Sequence, residues 1–203
     1  CIKKEELYGI KKTYNLVNSE ARKKNFQSPI LMIGFNRRFS PHIKTIKKVL
    51  ENYKVPKSFI YTCNAGLLPI DHWTVNKKIG GGRLIGEACH FLDLLIFLSG
   101  SRVQKLDILR SYKNKLNKDN FSLNINFYDG SIGTIHYFAN GHNSYPKEKL
   151  EVFFGGKIIV LDNFRKLKSW GLKRSLNNYS FTQNKGQKEC ILNFLNCLKY
   201  GLK

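Results

Sequence analysis

The fold class is decided by residues 121–138, which read FSLNINFYDGSIGTIHYF. Apolar and polar residues alternate from Phe121 to Phe127, and a two-residue period is typical of a strand with one buried face. The Asp129-Gly130 pair that follows favours a hairpin, because both residues tolerate the positive φ angles of tight two-residue turns. We therefore predict an antiparallel hairpin whose second strand is Ile132–Phe138.

The neighbouring segments extend the same architecture. Residues 149–154 and 157–161 form a second expected hairpin across Gly155-Gly156, and residues 57–65 read as a further strand. Together these patterns predict a mainly antiparallel sheet between residues 57 and 170.

Four segments have helical periodicity: residues 4–24, 41–53, 83–99 and 186–200. The clearest is 83–99, where Leu84, Ala88, Phe91, Leu95 and Leu98 form one apolar stripe before Gly100, a helix terminator. Ser40-Pro41 is typical of a helix start. Residues 30–35 are continuously apolar, like a short strand buried inside a parallel sheet. The predicted fold is α+β, an open, mainly antiparallel sheet backed by helices and preceded by a helix–strand pair.

The composition excludes several classes of protein. The apolar stretches are too short for a membrane helix, and the charged first residues predict no signal peptide. The five cysteines contain no C-x-x-C pair, so no metal site is expected, and free thiols fit a reducing cytoplasm.

The chain is strongly basic, with 35 Lys and Arg against 14 Asp and Glu and a formal charge of +21. A basic polyanion- or nucleic-acid-binding module is therefore the alternative function. The lysines are scattered and no nucleic-acid-binding motif is present, which disfavours that alternative.

Glu87, His90 and Asp93 are the candidate chemical groups of the 83–99 helix. Their spacing of three places them roughly 60° apart around the axis, on one polar flank. A histidine beside carboxylates suits general acid–base catalysis, and the glycines at 80–82 would let a ligand approach the backbone. From these residues alone, a packing role for His90 and a plain glycine turn are slightly favoured over a catalytic role.

Several segments resemble the glucose–fructose oxidoreductase/inositol dehydrogenase (Gfo/Idh/MocA) family. Residues 80–93, GGGRLIGEACHFLD, are similar to its G-G-G-x-L-x-D-x-G-x-H-x-x-D signature, and residues 34–41, GFNRRFSP, to its G-F-N-R-R-F-x-P segment. Weaker similarities are Trp73, residues 146–151 (PKEKLE) and residues 185–187 (KGQ), all in the family's order.

The resemblance implies an NAD- or NADP-dependent oxidoreductase that exchanges a hydride with a sugar, nucleotide sugar or cyclitol. Residues 1–35 would be the remnant of a Rossmann nucleotide-binding domain, and residues 36–203 a substrate-binding and oligomerisation domain that forms a homo-oligomer through its sheet. His90 and Asp93 correspond to the catalytic groups. The implied substrate-binding residues are Asn36, Arg37, Trp73, Gly81, Gly82, Arg83 and Glu87.

The sequence departs from the family in ways that limit what it implies. The G-x-G-x-x-G phosphate turn is absent, and the chain begins with Cys1, after the position of the family's Glu-Lys-Pro lysine. Gly86 stands where the family has Asp, with Glu87 one position later. The last helix also lacks the segment that usually follows it. We therefore expect a fragment that is inactive alone and whose main cofactor site lies elsewhere.

Overall fold

The chain folds into helices and a single mixed sheet in a computed structural model that describes residues 3–69, 71–74, 76, 78–111 and 119–201. The described helices are α1 (Lys4–Lys23), α2 (Pro41–Glu51), α3 (Cys89–Ser99) and α4 (Gln187–Tyr200), with a short 3-10 helix at Asn36–Phe39 and a π-helical turn at Leu84–Ala88. The described strands are β1 (Ser58–Asn64), β2 (Val103–Arg110), β3 (Phe121–Phe127), β4 (Ile132–Phe138), β5 (Glu148–Phe154), β6 (Lys157–Asp162), β7 (Lys166–Trp170) and β8 (Asn178–Tyr179).

The strands form one open sheet in the order β2-β3-β4-β1-β5-β6-β7-β8. Neighbouring strands are antiparallel except β1 and β4, which run parallel in the centre, with Ser58 opposite Ile132. Both predicted hairpins are confirmed, since β3 pairs with β4 and β5 with β6. The α+β class with a mainly antiparallel sheet is therefore confirmed.

One face of the sheet carries the core, and α2 and α3 pack against it. Alternate strand residues such as Phe59, Tyr61 and Ile135 are buried there, as the two-residue period requires. Gly133 of β4 allows α3 to lie close, because a Cβ at this position would be 3.1 Å from Leu95 Cδ1. The close packing at Gly133 thus holds α3 against the central strands.

The predicted helices are present, with differences at their starts. Gly100 adopts a left-handed conformation and ends α3, as expected. The predicted helix at 83–99 begins as the π-helical turn Leu84–Ala88, and only from Cys89 is it α-helical. Ser40 precedes α2, but its hydroxyl does not cap the helix; it donates to the Asn184 carbonyl at 2.8 Å.

The predicted buried strand at residues 30–35 is wrong. The segment has no strand pairing, and Leu31 and Ile33 are exposed. Its apolar composition fits a strand, but a strand forms only when its backbone is hydrogen-bonded to a neighbouring strand. No described strand pairs with this segment. The apolar face of α1 is likewise uncovered, with Leu7, Ile10 and Val17 all exposed. Among the described residues, no helix combines the length and apolar character needed to cross a membrane.

Candidate functional site

His90 lies in the first turn of α3, close to the segment that precedes α2. The imidazole is half-buried and packs edge-to-face on Phe35, with ring centroids 5.6 Å apart. Its Nδ1 is buried and has no hydrogen-bond partner. Burial, assisted by the positive charge of Arg37, lowers the His90 pKa below its ordinary value of 6.5. At neutral pH this histidine is therefore uncharged and able to accept a proton.

Asp93 is paired with Arg38 and not with the His90 ring. Its carboxylate is buried and receives a two-pronged ion pair from Arg38, with Arg38 Nε 3.0 Å from Oδ2 and Nη2 bonded to Oδ1. Both oxygens are thus engaged by the planar guanidinium, whose geometry matches a carboxylate. Asp93 fixes the 3-10 helix Asn36–Phe39 against α3, which positions the surroundings of His90 rather than its tautomer.

Glu87 points from the π-helical turn toward the sheet. The Tyr137 hydroxyl of β4 donates to Glu87 Oε2 at 2.8 Å, and Arg83 Nε lies 3.3 Å from Oε1. Burial and the Glu87 charge both raise the pKa of Tyr137, so its hydroxyl stays protonated as a donor. At Gly86, the family's Asp position, a Cβ would lie 3.0 Å from the Gly80 carbonyl oxygen. The backbone here fits glycine better than a larger residue.

Arg83 is buried and bonded to other protein groups, although the resemblance implies that it contacts the substrate. The residue is 2% exposed, and its guanidinium donates to the carbonyls of Gly66 at 2.7 Å and Ala65 at 3.3 Å. It also lies over the Tyr137 ring. Arg83 therefore holds the loop after β1 onto the start of α3, and a ligand cannot reach its guanidinium in this arrangement.

Arg37 is also held by protein groups, in a buried cluster around Glu148. Arg37 Nε and Nη2 lie 2.8 and 2.9 Å from the Glu148 carboxylate, and Lys185 Nζ lies 2.6 Å from Oε1. The Tyr61 hydroxyl donates to the same carboxylate. Burial alone would raise the pKa of Glu148, but the hydrogen bond and charge of Arg37, with the charge of Lys185, outweigh it and lower the pKa to about 2.

The remaining predicted residues are near the same helix start but differ in accessibility. Asn36 donates from its side chain to the Lys185 carbonyl at 2.8 Å. Gly81 and Gly82 have positive φ angles, and nothing lies within 4 Å of a Cβ built at Gly82. Trp73 is 60% exposed and stacks on His72. Gly82 and Trp73 are therefore open to a ligand, whereas Arg37 and Arg83 are not.

The sequence did not identify Tyr61, Tyr137, Glu148 or Lys185 as members of this region. Glu148 and Lys185 do lie within the family-like segments 146–151 and 185–187, and the structure brings both segments to Arg37. The resemblance was therefore the only available indication of their importance. Within the described parts of the chain, no three His, Cys, Asp or Glu residues are grouped so as to hold a metal ion.

Comparisons with known proteins identify oxidoreductases as relatives of this chain. An uncharacterised oxidoreductase of Bacillus subtilis is 26% identical over 66% of this chain and 41% of its own length. A myo-inositol 2-dehydrogenase of Thermotoga maritima is 25% identical over 67% of this chain and 42% of its own length. The chain thus spans about two-fifths of the curated relatives it matches.

The fold is shared with a solved UDP-N-acetylglucosamine 3-dehydrogenase of Acidithiobacillus ferrooxidans. The two superpose with a TM-score of 0.69 at 15% identity, over 94% of this chain and 58% of that protein. Residues 56–157, about half of the chain, match the GFO/IDH/MocA C-terminal domain. The chain therefore belongs to the Gfo/Idh/MocA family of oxidoreductases, and the part of it that matches is the family's C-terminal domain.

Proposed function

We propose that this chain is the substrate-binding part of an NAD- or NADP-dependent dehydrogenase that acts on a CH–OH group of a sugar, nucleotide sugar or cyclitol. Residues 1–35 are the end of the nucleotide-binding domain, and residues 36–203 form the substrate domain. The exposed apolar faces of α1 and of residues 30–35 support this division, because a packed neighbouring domain would bury them.

The observation that supports the proposed site is the buried, unpartnered Nδ1 of an uncharged histidine at the start of α3. A buried polar atom without a partner is costly, and a ligand hydroxyl would satisfy it. The chain offers no phosphate-cradling turn, so the nicotinamide cofactor would be held outside it and would supply the hydride acceptor. His90 takes the hydroxyl proton in the direction of oxidation and returns it in the reverse direction.

The other site residues have supporting roles in this proposal. The open backbone at Gly82 and the exposed Trp73 provide the surface for the sugar, with Gly81 next to Gly82, while Asn36 and Glu87 border it. Arg38 and Asp93 hold the adjoining 3-10 helix. Arg37 and Arg83 act indirectly, since their guanidinium groups are bonded within the protein.

The homo-oligomer proposed for this family member uses the open face of the sheet. That face is not covered by any described helix, and it exposes apolar residues that include Ile132, Phe153 and Trp170. A contact there would bury them. A nucleotide sugar is the substrate we favour, because the basic charge of the chain would attract its phosphates.

The 203-residue chain alone should bind NADH weakly and turn over no sugar. Its lack of a phosphate turn means that the pyrophosphate finds no helix N-terminus prepared for it. Calorimetric titration checks this, with the same chain extended through its upstream reading frame as the comparison. Low-micromolar binding of NADH by the 203 residues alone would contradict the proposal that the cofactor is bound outside this chain. Turnover by the extended protein, assayed with UDP-sugars and with myo-inositol, separates the substrate classes.

A further inference from the structure

Strand β2 forms one edge of the sheet, and no described strand pairs with its outer side. Seven of its eight residues are exposed. An unpaired edge of this length is a template for a further strand, and most proteins shorten or cover such edges.

The register with β3 fixes which backbone groups of β2 are free. Ser111 N donates to the Asn120 carbonyl at 3.1 Å, and the pairing continues in step from Arg110–Phe121 to Lys105–Asn126. In an antiparallel ladder, alternate residues direct both N–H and C=O to the same neighbour. Residues 105, 107 and 109 therefore bond to β3, and residues 106, 108 and 110 direct their N–H and C=O outward.

The charges on β2 favour pairing of its free edge with the same strand of a second copy of this chain. Lys105 and Asp107 lie on the open face of the sheet, with Lys105 Nζ 2.8 Å from Asp107 Oδ2. A two-fold axis at Leu106 pairs the free groups of Leu106 with those of its copy. It also places Lys105 of each copy directly opposite Asp107 of the other, at the closer, non-hydrogen-bonded positions. Two charges in each copy thereby become an alternating network of four.

Other two-fold registers are less favourable. An axis at Lys105 or at Asp107 places like charges opposite each other, which is destabilising. An axis at Ile108 sets Asp107 opposite Leu109 and forms no charge pair. On the helix side, Leu106 and Ile108 are each 41% exposed beside Ile85 at 43%, around an apolar groove of about 340 Å³. The axis at Leu106 brings the two Leu106 side chains together over this groove.

We infer that β2 pairs antiparallel with β2 of a second copy of this chain about a two-fold axis at Leu106, joining two sheets edge to edge. This contact is separate from the sheet-face contact proposed above, and it does not depend on the proposed chemistry. A chain that uses both contacts forms an assembly larger than a dimer. A chain that uses the edge alone forms a dimer.

A cysteine pair at the axis tests the register directly. Leu106→Cys should give a covalent dimer under mild oxidation, because hydrogen-bonded partners have Cα atoms about 5.5 Å apart, within disulfide range. Leu109→Cys is the matched control. Leu109 is 72% exposed, but it lies three residues from the axis and is therefore far from its own equivalent in the other copy. The wild-type chain gives the background from its native cysteines. Cross-linking of Leu106→Cys no greater than that of Leu109→Cys would overturn the inference.

Charge reversal tests the complementarity by sedimentation equilibrium. Asp107→Lys sets lysines opposite each other and should weaken association about 10-fold. The double variant Lys105→Asp with Asp107→Lys restores opposite charges and should recover most of the loss. Association of the double variant that is as weak as, or weaker than, that of Asp107→Lys would count against edge pairing. Loss of the sheet-face contact alone would leave the Leu106→Cys cross-link in place, so the two failures are distinguishable.

Discussion

Glu148→Gln is expected to lower the free energy of unfolding by about 3–5 kcal/mol, the usual cost of breaking a buried ion pair from one side. Glu148 is 1% exposed and compensates both Arg37 and Lys185. Glutamine keeps the shape but removes the charge, so two cations remain in a poorly solvated cluster. Urea denaturation monitored by tryptophan fluorescence measures the change.

Glu151→Gln is the matched control for that prediction, because it makes the same substitution on the same strand. Glu151 lies on the opposite face of β5, where it forms a partly exposed pair with Lys149 at 3.0 Å. Exposed pairs contribute about 0–1 kcal/mol. If the two variants lose equal stability, the Glu148 cluster does not have the importance we assign to it.

The acid dependence of stability should depend on the same carboxylate. The pKa of Glu148 in the folded chain is about 2, below its ordinary value of 4.5. A depressed pKa means that the stabilisation is fully present above pH 4.5 and is lost as the pH falls from 4.5 toward 2. The stability difference between wild type and Glu148→Gln should therefore shrink across that interval. A difference that stays constant down to pH 3 would contradict the assignment.

His90→Ala should reduce turnover of the extended, cofactor-binding protein about 100-fold or more, within the range for a lost acid–base group. The substrate hydroxyl must lose its proton as the hydride departs, and His90 is uncharged and half-buried on a helix anchored in the core. His90→Asn should be impaired similarly, since an amide cannot exchange the proton. Cofactor affinity should change little, because in the proposed division of the protein the cofactor phosphates are bound outside this chain.

His136→Ala is the control histidine variant. His136 lies on the open face of the sheet, bonded to Ser122 at 2.9 Å, and its removal should leave turnover within a few-fold of wild type. The pH profile gives a second criterion. Because the His90 pKa is lowered, oxidation should lose activity only as the pH falls below about 6.5. Turnover of His90→Ala within a few-fold of wild type would remove His90 from the mechanism.

Local patterns predicted the sheet and the helices well, because each depends on neighbouring residues. The Asp129-Gly130 turn and the alternation from Phe121 to Phe127 specify their hairpin without distant partners. The π-helical turn Leu84–Ala88 was not predicted, since the helical period changes little over one turn. The segment 30–35 was mispredicted because an apolar composition indicates only that a segment tends to be buried. It does not indicate that a partner strand is present.

The candidate site could be predicted only in part for the same reason. His90 stood out because it lies beside the glycine run in a short motif. The Glu148 cluster joins residues separated by 111 and 37 positions, and no local period connects them. The ion pair of Asp93 with Arg38 could not be predicted either. Helical spacing specifies which side of the helix a residue faces, but not which partner it contacts there.

The central position of β1 has a consequence for the order in which the chain folds. Strands β2–β4 and β5–β8 can each form from contacts between consecutive strands, but β1 lies between the two groups and precedes both in the sequence. During synthesis it emerges before either partner and must remain unpaired until β4 and β5 exist. Closing so long a loop is slow. Insertion of β1 is thus the expected rate-limiting step, and until it occurs the two halves of the sheet remain separate units exposed to aggregation.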